Sequence, residues 1–519
     1  MVKRFFSICL VLVVLALGVL SISSVAAETD RGDARYNIAI VVDASGSLGP
    51  NETADPEGNR YEALKYFLEM LASEGNIVGA FVFNDQVKVV SEMQPLNSDD
   101  AKSALLNKII DVAPAGYTNI GEALKTAVNR LKDLQDKQEA DLGSHLQSEV
   151  ILFTDGVTQL TSPSAEQASF AAKDEAITNA KENGIHVSGV FLNNNGEIIG
   201  NQEVFDIVRG VRGIANDPAT PDDEAEEDND FYSYFAEIQS ADDISGPFAN
   251  IALRFSTGGE VGEPETVPVH RSVTIPGVGV SELKFGLRYT RGVKDKIVVT
   301  IRNPRGEVTS ESGGNGIAVT KEETFFTATI RDPAAGRWEI HVQKANINGV
   351  PVTEEVEVMA DIIISSNVSA EVEMLAADGK AKVGESVTFK SFLAVDGVEV
   401  TEDIKYEGYN CYLTLTSNKT KQAKDYPMVL VDGHFEVKVN VEEYEGYTAN
   451  ATYKCESIEF SSADIPVNPV NQPPDVNDIK DKYSFTWFND GMYSIVLTGY
   501  AKDPEGEAET GTAYGVRRT

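Results

Sequence analysis

A chain of 519 residues exceeds what one ordinary hydrophobic core organises, so three or four domains are expected. Its formal net charge of −37 repels nucleic acid and anionic membrane and favours cations or basic surfaces. The five histidines form no H-E-x-x-H signature and no G-x-S-x-G elbow is present, so no motif recommends an enzyme.

Residues 1–27 read as a secretory signal peptide: Lys3 and Arg4, an apolar run, then Val25-Ala26-Ala27, with cleavage expected after Ala27. The alternative is an uncleaved membrane anchor. Cys9 lies inside the apolar run without the small neighbours that lipid attachment requires. No later stretch reaches the ~18 apolar residues of a spanning helix, so the mature chain is expected to be exported, at the cell surface or extracellular, without membrane insertion. Arg31-Gly32-Asp33 matches an integrin-binding tripeptide, a three-residue match that chance explains.

From 36 to 256, short apolar runs such as "NIAIVVD", "NIVGAFVFN", "EVILFTD" and "IHVSGVFLN" alternate with helix-period segments. One helix places Tyr61, Leu64, Leu68 and Leu71 on one face; another does the same with Ile120, Leu124, Ala127, Leu131 and Leu134. This alternation predicts an α/β doubly wound, Rossmann-like domain with a mostly parallel sheet. The acidic run Pro221–Asp230 interrupts its last part and reads as a solvated insertion without EF-hand spacing.

Helix periodicity stops at a Gly/Pro/Glu-rich linker, 257–268. Beyond it, strand-like runs predict two all-β sandwiches, 269–366 and 368–468, followed by an incomplete β module, 471–519, with a hairpin around Asn489-Asp490-Gly491. The stretch "GKAKVGES", 379–386, nearly spells a phosphate loop, but Glu385 stands where the lysine belongs and would repel phosphate. Cys411 and Cys455 are the cysteines left after export, and an oxidising compartment is expected to join them in a disulfide. Sequons at Asn51, Asn367, Asn418 and Asn450 would matter only in a eukaryotic host, and the sequence style points to a bacterial one. The tail "GEAETGTAYGVRRT" loses strand character within its module, which suggests a longer natural chain with an anchor downstream.

The candidate site begins where the first apolar strand runs into "DASGS". In a doubly wound sheet, ligands sit outside the carboxyl ends of the strands, where strand order reverses. Asp43 stands at such an end, Ser45 and Ser47 follow in the loop, Thr118 precedes a helix, and Asp155 closes another strand. Three hydroxyls and two carboxylates, with no sulfur or imidazole, make a hard oxygen site suited to Mg²⁺, with Mn²⁺ or Ca²⁺ as alternatives. Because the hydroxyls are neutral, a bound ion keeps much of its charge and attracts an acidic oxygen from a partner.

At these residues the chain resembles the von Willebrand factor A (vWA) domain. "DASGS", "GYTNIGEAL" and "FTDG" are similar to its metal-ion-dependent adhesion site (MIDAS), which implies a metal shell of Asp43, Ser45, Ser47, Thr118 and Asp155. Tyr117 departs from the commoner pattern, standing where a glycine or serine often precedes the threonine. The β modules resemble bacterial immunoglobulin-like (Ig-like) repeats. "DPAAGRWEIHVQ" is similar to the last hairpin of a sandwich often found behind A domains, with the tryptophan in the core. Tyr453 stands two residues before Cys455, as in immunoglobulin domains, although Cys411 is too near in sequence to hold the usual partner position.

The resemblance implies cell adhesion: the A domain's metal grips an acidic group on a protein ligand, and the sandwiches form a stalk. The alternatives are a metal-independent structural or assembly component of the cell envelope, and a secreted enzyme targeted by its A domain.

Overall fold

The computed structural model describes residues 35–194, 198–212 and 234–469, apart from 51, 53, 315, 367, 377–380, 396, 443–445 and 457, together with three strands further on. The signal peptide, the Arg31-Gly32-Asp33 tripeptide, the acidic run 221–230 and the sequon asparagines Asn51 and Asn367 lie outside the described residues. Among the described residues, no helix is long and apolar enough to cross a membrane.

The first strand, β1 (Tyr36–Asp43), is buried at every position. Helices cover both of its faces, which is why its apolar run does not alternate. With β2 (Ile77–Phe83), β3 (Val87–Pro95), β4 (Gln147–Thr154), β5 (Ile185–Leu192) and β6 (Phe235–Ile238) it forms one sheet in the order β3-β2-β1-β4-β5-β6. All neighbours are parallel except the edge strand β3. Ile38, Ile40 and Val42 pack against α1 (Asn59–Met70), α2 (Asp99–Ile110) and α6 (Ser245–Arg254). Ala39 and Val41 face the opposite way, toward α3 (Ile120–Leu142), α4 (Pro163–Glu182) and α5 (Ile198–Arg212). Strand order reverses between β1 and β4, so the crevice expected to bind ligands opens where those two strands end. Helix α3 starts there: the Asn119 side chain accepts the Glu122 N–H at its N-cap, and Ile120, Leu124, Ala127 and Leu131 are fully buried, while Leu134 is only half-buried.

The β region departs from the expected pair of sandwiches behind a free linker. Segment 257–268 contains β7 (Gly258–Glu260) and β8 (Glu265–Thr266), both paired with the strand Glu357–Ser365. Glycine richness reads as flexibility in the sequence, yet Gly259 is needed for close packing. It has a φ of +133°, and a Cβ there would lie 2.0 Å from the Ile362 carbonyl oxygen. Strand β7 also pairs with Ile458, so a single sheet runs from the first β module into the second, and one apolar cluster extends from Val267 to Val467.

Opposite this long sheet lies a four-stranded sheet containing β9 (Val269–Ile275) and the strands Val308–Ser310, Ile297–Arg302 and Gly336–Lys344. Trp338 is buried in the core, as expected, and its Nε1 donates to the Ala334 carbonyl at 2.9 Å. The "DPAAG" turn joins strands of two different sheets, however, and does not close a hairpin. Tyr483–Trp487 pairs antiparallel with Tyr493–Leu497, which also pairs with Tyr514–Val516.

The expected disulfide is absent: Cys411 and Cys455 are free, buried thiols. Their strands are antiparallel neighbours, but Cys411 stands opposite Tyr453, so Cys455 is a diagonal neighbour. Such positions are about 7–8 Å apart, beyond the usual Cα spacing of a disulfide. Cys411 donates to the Met428 sulfur at 3.5 Å, and burial pushes its thiol up to about 12.

The α/β domain is docked on the first β module. Tyr66 of α1 reaches Asp361, which also accepts from Arg288 Nε at 2.7 Å, Arg288 Nη2 at 3.0 Å and the Gly262 N–H at 2.8 Å. Gly286 makes room for the Tyr66 ring, since a Cβ there would lie 2.0 Å from the phenolic oxygen. Phe325 and Ile363 of the β module belong to the α/β domain's apolar cluster.

Lys102 of α2 is 2% exposed, and its Nζ has no hydrogen-bond partner among the described residues. Burial, with Lys284 nearby, pushes its ammonium down to about 7. Below that value both folded and unfolded chains carry the proton and the full cost of burying the charge is present. Above it, the folded chain has lost a proton that the unfolded chain keeps until about pH 10.5, so stability rises with pH. Lys102→Met is expected to raise stability at pH 7 by on the order of 3 kcal/mol and to abolish that part of the rise between pH 7 and 10. Urea midpoints of the two chains across that range check it; parallel pH profiles would refute it.

Candidate functional site

Asp43 is the last residue of β1 and is fully buried. Both its carboxylate oxygens are held: Oδ1 accepts the Ser45 N–H at 2.6 Å, and Oδ2 accepts the Thr154 hydroxyl at 2.6 Å from the end of the neighbouring strand β4. Ser45 Oγ lies 3.1 Å from Ser47 Oγ, and Ser47 Oγ donates to Asp155 Oδ1 at 3.0 Å. Four of the five residues singled out in the sequence are therefore linked through short polar contacts.

The fifth, Thr118, arrives from the loop before α3. Two backbone hydrogen bonds with Gln159, of 3.0 and 2.9 Å, fix it, and its hydroxyl stands beside Gly156, whose Cβ, if present, would lie 3.5 Å from Thr118 Oγ1. The first and second loops are laced together: Ala115 N–H donates to the Ala44 carbonyl at 2.9 Å, and Gly46 N–H to that of Gly116 at 3.2 Å. Gly116 adopts φ +80°, where a Cβ would meet Asp85 Oδ1 at 2.5 Å. Next to Thr118, the Tyr117 side chain is exposed.

The electrostatics suit a cation. Burial, together with the charge of Asp155, pushes the Asp43 carboxyl up to about 7. Burial also raises Asp155, opposed by its hydrogen bond from Ser47. Two carboxylates sharing a desolvated edge repel, and a cation between them relieves that repulsion. The donors are all oxygen and mostly neutral, so they fit a hard divalent ion and offer nothing to a thiophilic one.

Three supporting residues escaped the sequence reading. Thr154 reads there as the last strand residue, yet its hydroxyl orients Asp43. Asp55 and Arg60 form a buried ion pair at 2.6 Å, and Arg60 Nη2 donates to the Leu48 carbonyl at 3.2 Å, which braces the serine turn from behind. Arg60 also draws the Asp155 carboxyl downward, against its burial. Asp55 and Arg60 flank the helix start without any motif, so no local signal set this pair apart.

Residues 38–157 match the von Willebrand factor type A domain family. No curated protein matches the chain. Among solved structures, proximal thread matrix protein 1 from the mussel byssus is similar at 18% identity, over 43% of this chain and 46% of that one, with a TM-score of 0.28. This chain thus spans about half the length of that protein. The pilus adhesin SpaC from Lactobacillus rhamnosus GG, in an open conformation, aligns over 93% of this chain and 67% of its own at 10% identity and a TM-score of 0.32. Manganese-loaded TRAP protein from Plasmodium vivax aligns over 42% and 72% at 16% identity, with a TM-score of 0.27.

Proposed function

We propose that this chain is an exported, non-enzymatic adhesion or protein-binding molecule. Its A domain holds a divalent cation, Mg²⁺ before Mn²⁺ or Ca²⁺, through Asp43, Ser45, Ser47, Thr118 and Asp155. The cation in turn captures an acidic group of a protein partner. The observation that carries this reading is that Asp43, Ser45, Ser47 and Asp155 meet at the point where the sheet's strand order reverses, with the Thr118 hydroxyl held beside Gly156. When bound, the ion supplies an electrophilic centre with a position for an outside oxygen; the protein's own groups orient it. Thr154 and the Ser45 N–H hold Asp43, Ser47 holds Asp155, and Arg60 fixes the serine turn. Residues 1–27 direct export, and the β modules, read as Ig-like, carry the A domain at the cell surface.

The test is capture from surface extracts of the producing cells by the immobilised chain, in Mg²⁺ and in chelator. The expected result is a partner retained only in Mg²⁺, lost with Asp155→Ala, and lost again when the partner's carboxylates are esterified. Equal retention in chelator would instead favour the metal-independent envelope component.

A further inference from the structure

The five histidines carry no zinc signature in the sequence, but the fold brings two of them together. His270 of β9 and His341 of the strand Gly336–Lys344 are directly paired across an antiparallel ladder, their rings stacked at 4.3 Å between centroids. Glu339 lies two residues before His341 and therefore on the same face, which points away from the core holding Val273, Ile340 and Val342. His341 Nε2 lies 3.3 Å from Glu339 Oε2, and His270 Nε2 lies 3.6 Å from Glu339 Oε1. The three donor atoms all fall within 4.8 Å of one another.

We propose that His270, Glu339 and His341 form a metal site for a borderline divalent transition ion, Zn²⁺ first, separate from the hard oxygen site of the A domain. A tetrahedral ion with bonds of about 2.1 Å holds its donors about 3.4 Å apart. The two histidine–glutamate contacts, 3.3 and 3.6 Å, lie near that value but reach different Glu339 oxygens, so the carboxylate turns to present one oxygen to both and the histidine–histidine edge closes, through side-chain rotation on fixed strands. Two imidazoles and one carboxylate select Zn²⁺ and its transition-metal neighbours over Mg²⁺ or Ca²⁺, which take all-oxygen shells. Both rings can ligate through Nε2, leaving Nδ1 free to donate outward. Arg337 Nε, 3.2 Å from Glu339 Oε1, competes for the carboxylate and weakens the site without occupying the imidazoles. His270 is 46% exposed and His341 half-buried, so the ion is reachable from solvent and keeps a position for water or an outside donor.

The experiment titrates Zn²⁺ into the full chain by calorimetry with Mg²⁺ in excess to fill the oxygen site, comparing wild type with His270→Ala, His341→Ala and Asp43→Ala. One equivalent of Zn²⁺ is expected in wild type and in Asp43→Ala, with affinity about 100-fold weaker in either histidine variant, since each removes one of three ligands. Both histidines face outward, so the variants are expected to fold, and unchanged thermal unfolding without metal verifies that. Equal Zn²⁺ affinity in wild type and His270→Ala would overturn the proposal. So would a Cu²⁺ electron paramagnetic resonance spectrum of the wild-type chain showing fewer than two imidazole nitrogens on the ion. Because Asp43→Ala leaves this site intact, failure here is distinguishable from failure of the adhesion reading.

Discussion

At a hundred times its dissociation constant, Mg²⁺ is expected to stabilise the wild-type chain by about 2.7 kcal/mol, because it binds the folded site and not the unfolded chain. In Asp43→Ala most of that gain should vanish. In chelator, the same substitution is expected to be neutral or slightly stabilising, since removing a buried carboxylate that Asp155 repels offsets the acceptor lost to the Ser45 N–H and the Thr154 hydroxyl. Ser45→Ala should lose less of the response, because the ligand it removes is neutral and both carboxylates stay. Thermal unfolding with and without Mg²⁺, at fixed ionic strength so that general screening is not read as site binding, makes the comparison. An equal Mg²⁺ response in wild type and Asp43→Ala would show that the ion sits elsewhere.

Asp361→Ala is expected to cost about 3–5 kcal/mol, because it strands a buried guanidinium and removes the acceptor of Tyr66. Asp361 spends both oxygens on four donors at once, from Arg288, Tyr66 and Gly262, and its side chain is fully buried. The double variant Arg288→Met with Asp361→Leu should recover much of the loss, since apolar groups of similar volume replace the pair and leave no charge behind. Urea unfolding of the full chain, following the transition shared by the A domain and the first β module, measures both. A loss below about 1 kcal/mol in Asp361→Ala would place the pair with ordinary surface ion pairs and refute its role as the junction's anchor.

The sheet of the A domain and the residues gathered where β1 and β4 end were legible in the sequence. Strands covered on both faces must be apolar at every position, and an acid and two hydroxyls directly after such a run stand out against it. The loops were found for the same reason: each follows a strand end or precedes a capped helix. What was illegible depends on register and on distant pairing. Tyr66 and Asp361 are 295 residues apart, and neither carries a local signal. The thiols of Cys411 and Cys455 lie on neighbouring strands, but a two-residue offset in register separates a bridge from a diagonal contact, and composition cannot report an offset. Gly258–Glu260 looked like a tether because glycine serves both slack chain and close backbone approach.

That short strand also governs how the molecule bears a load. A pull applied at the Asp43 edge leaves the A domain through α6 and, after three intervening residues, enters β7; the last of the three, Thr257, already donates its N–H to the Ile364 carbonyl at 2.8 Å. Strand β7 is wedged between Glu357–Ser365 of the first β module and Ile458 of the second, with its hydrogen bonds perpendicular to its own direction. Tension along the chain therefore shears those bonds together, and they cannot unzip one by one. The Lys65–Glu322 and Arg291–Glu57 ion pairs and the Tyr66–Asp361 contact cross the docked face and bear part of the same force. The A domain is thus coupled to both β modules as a tension-bearing joint with no slack to take up.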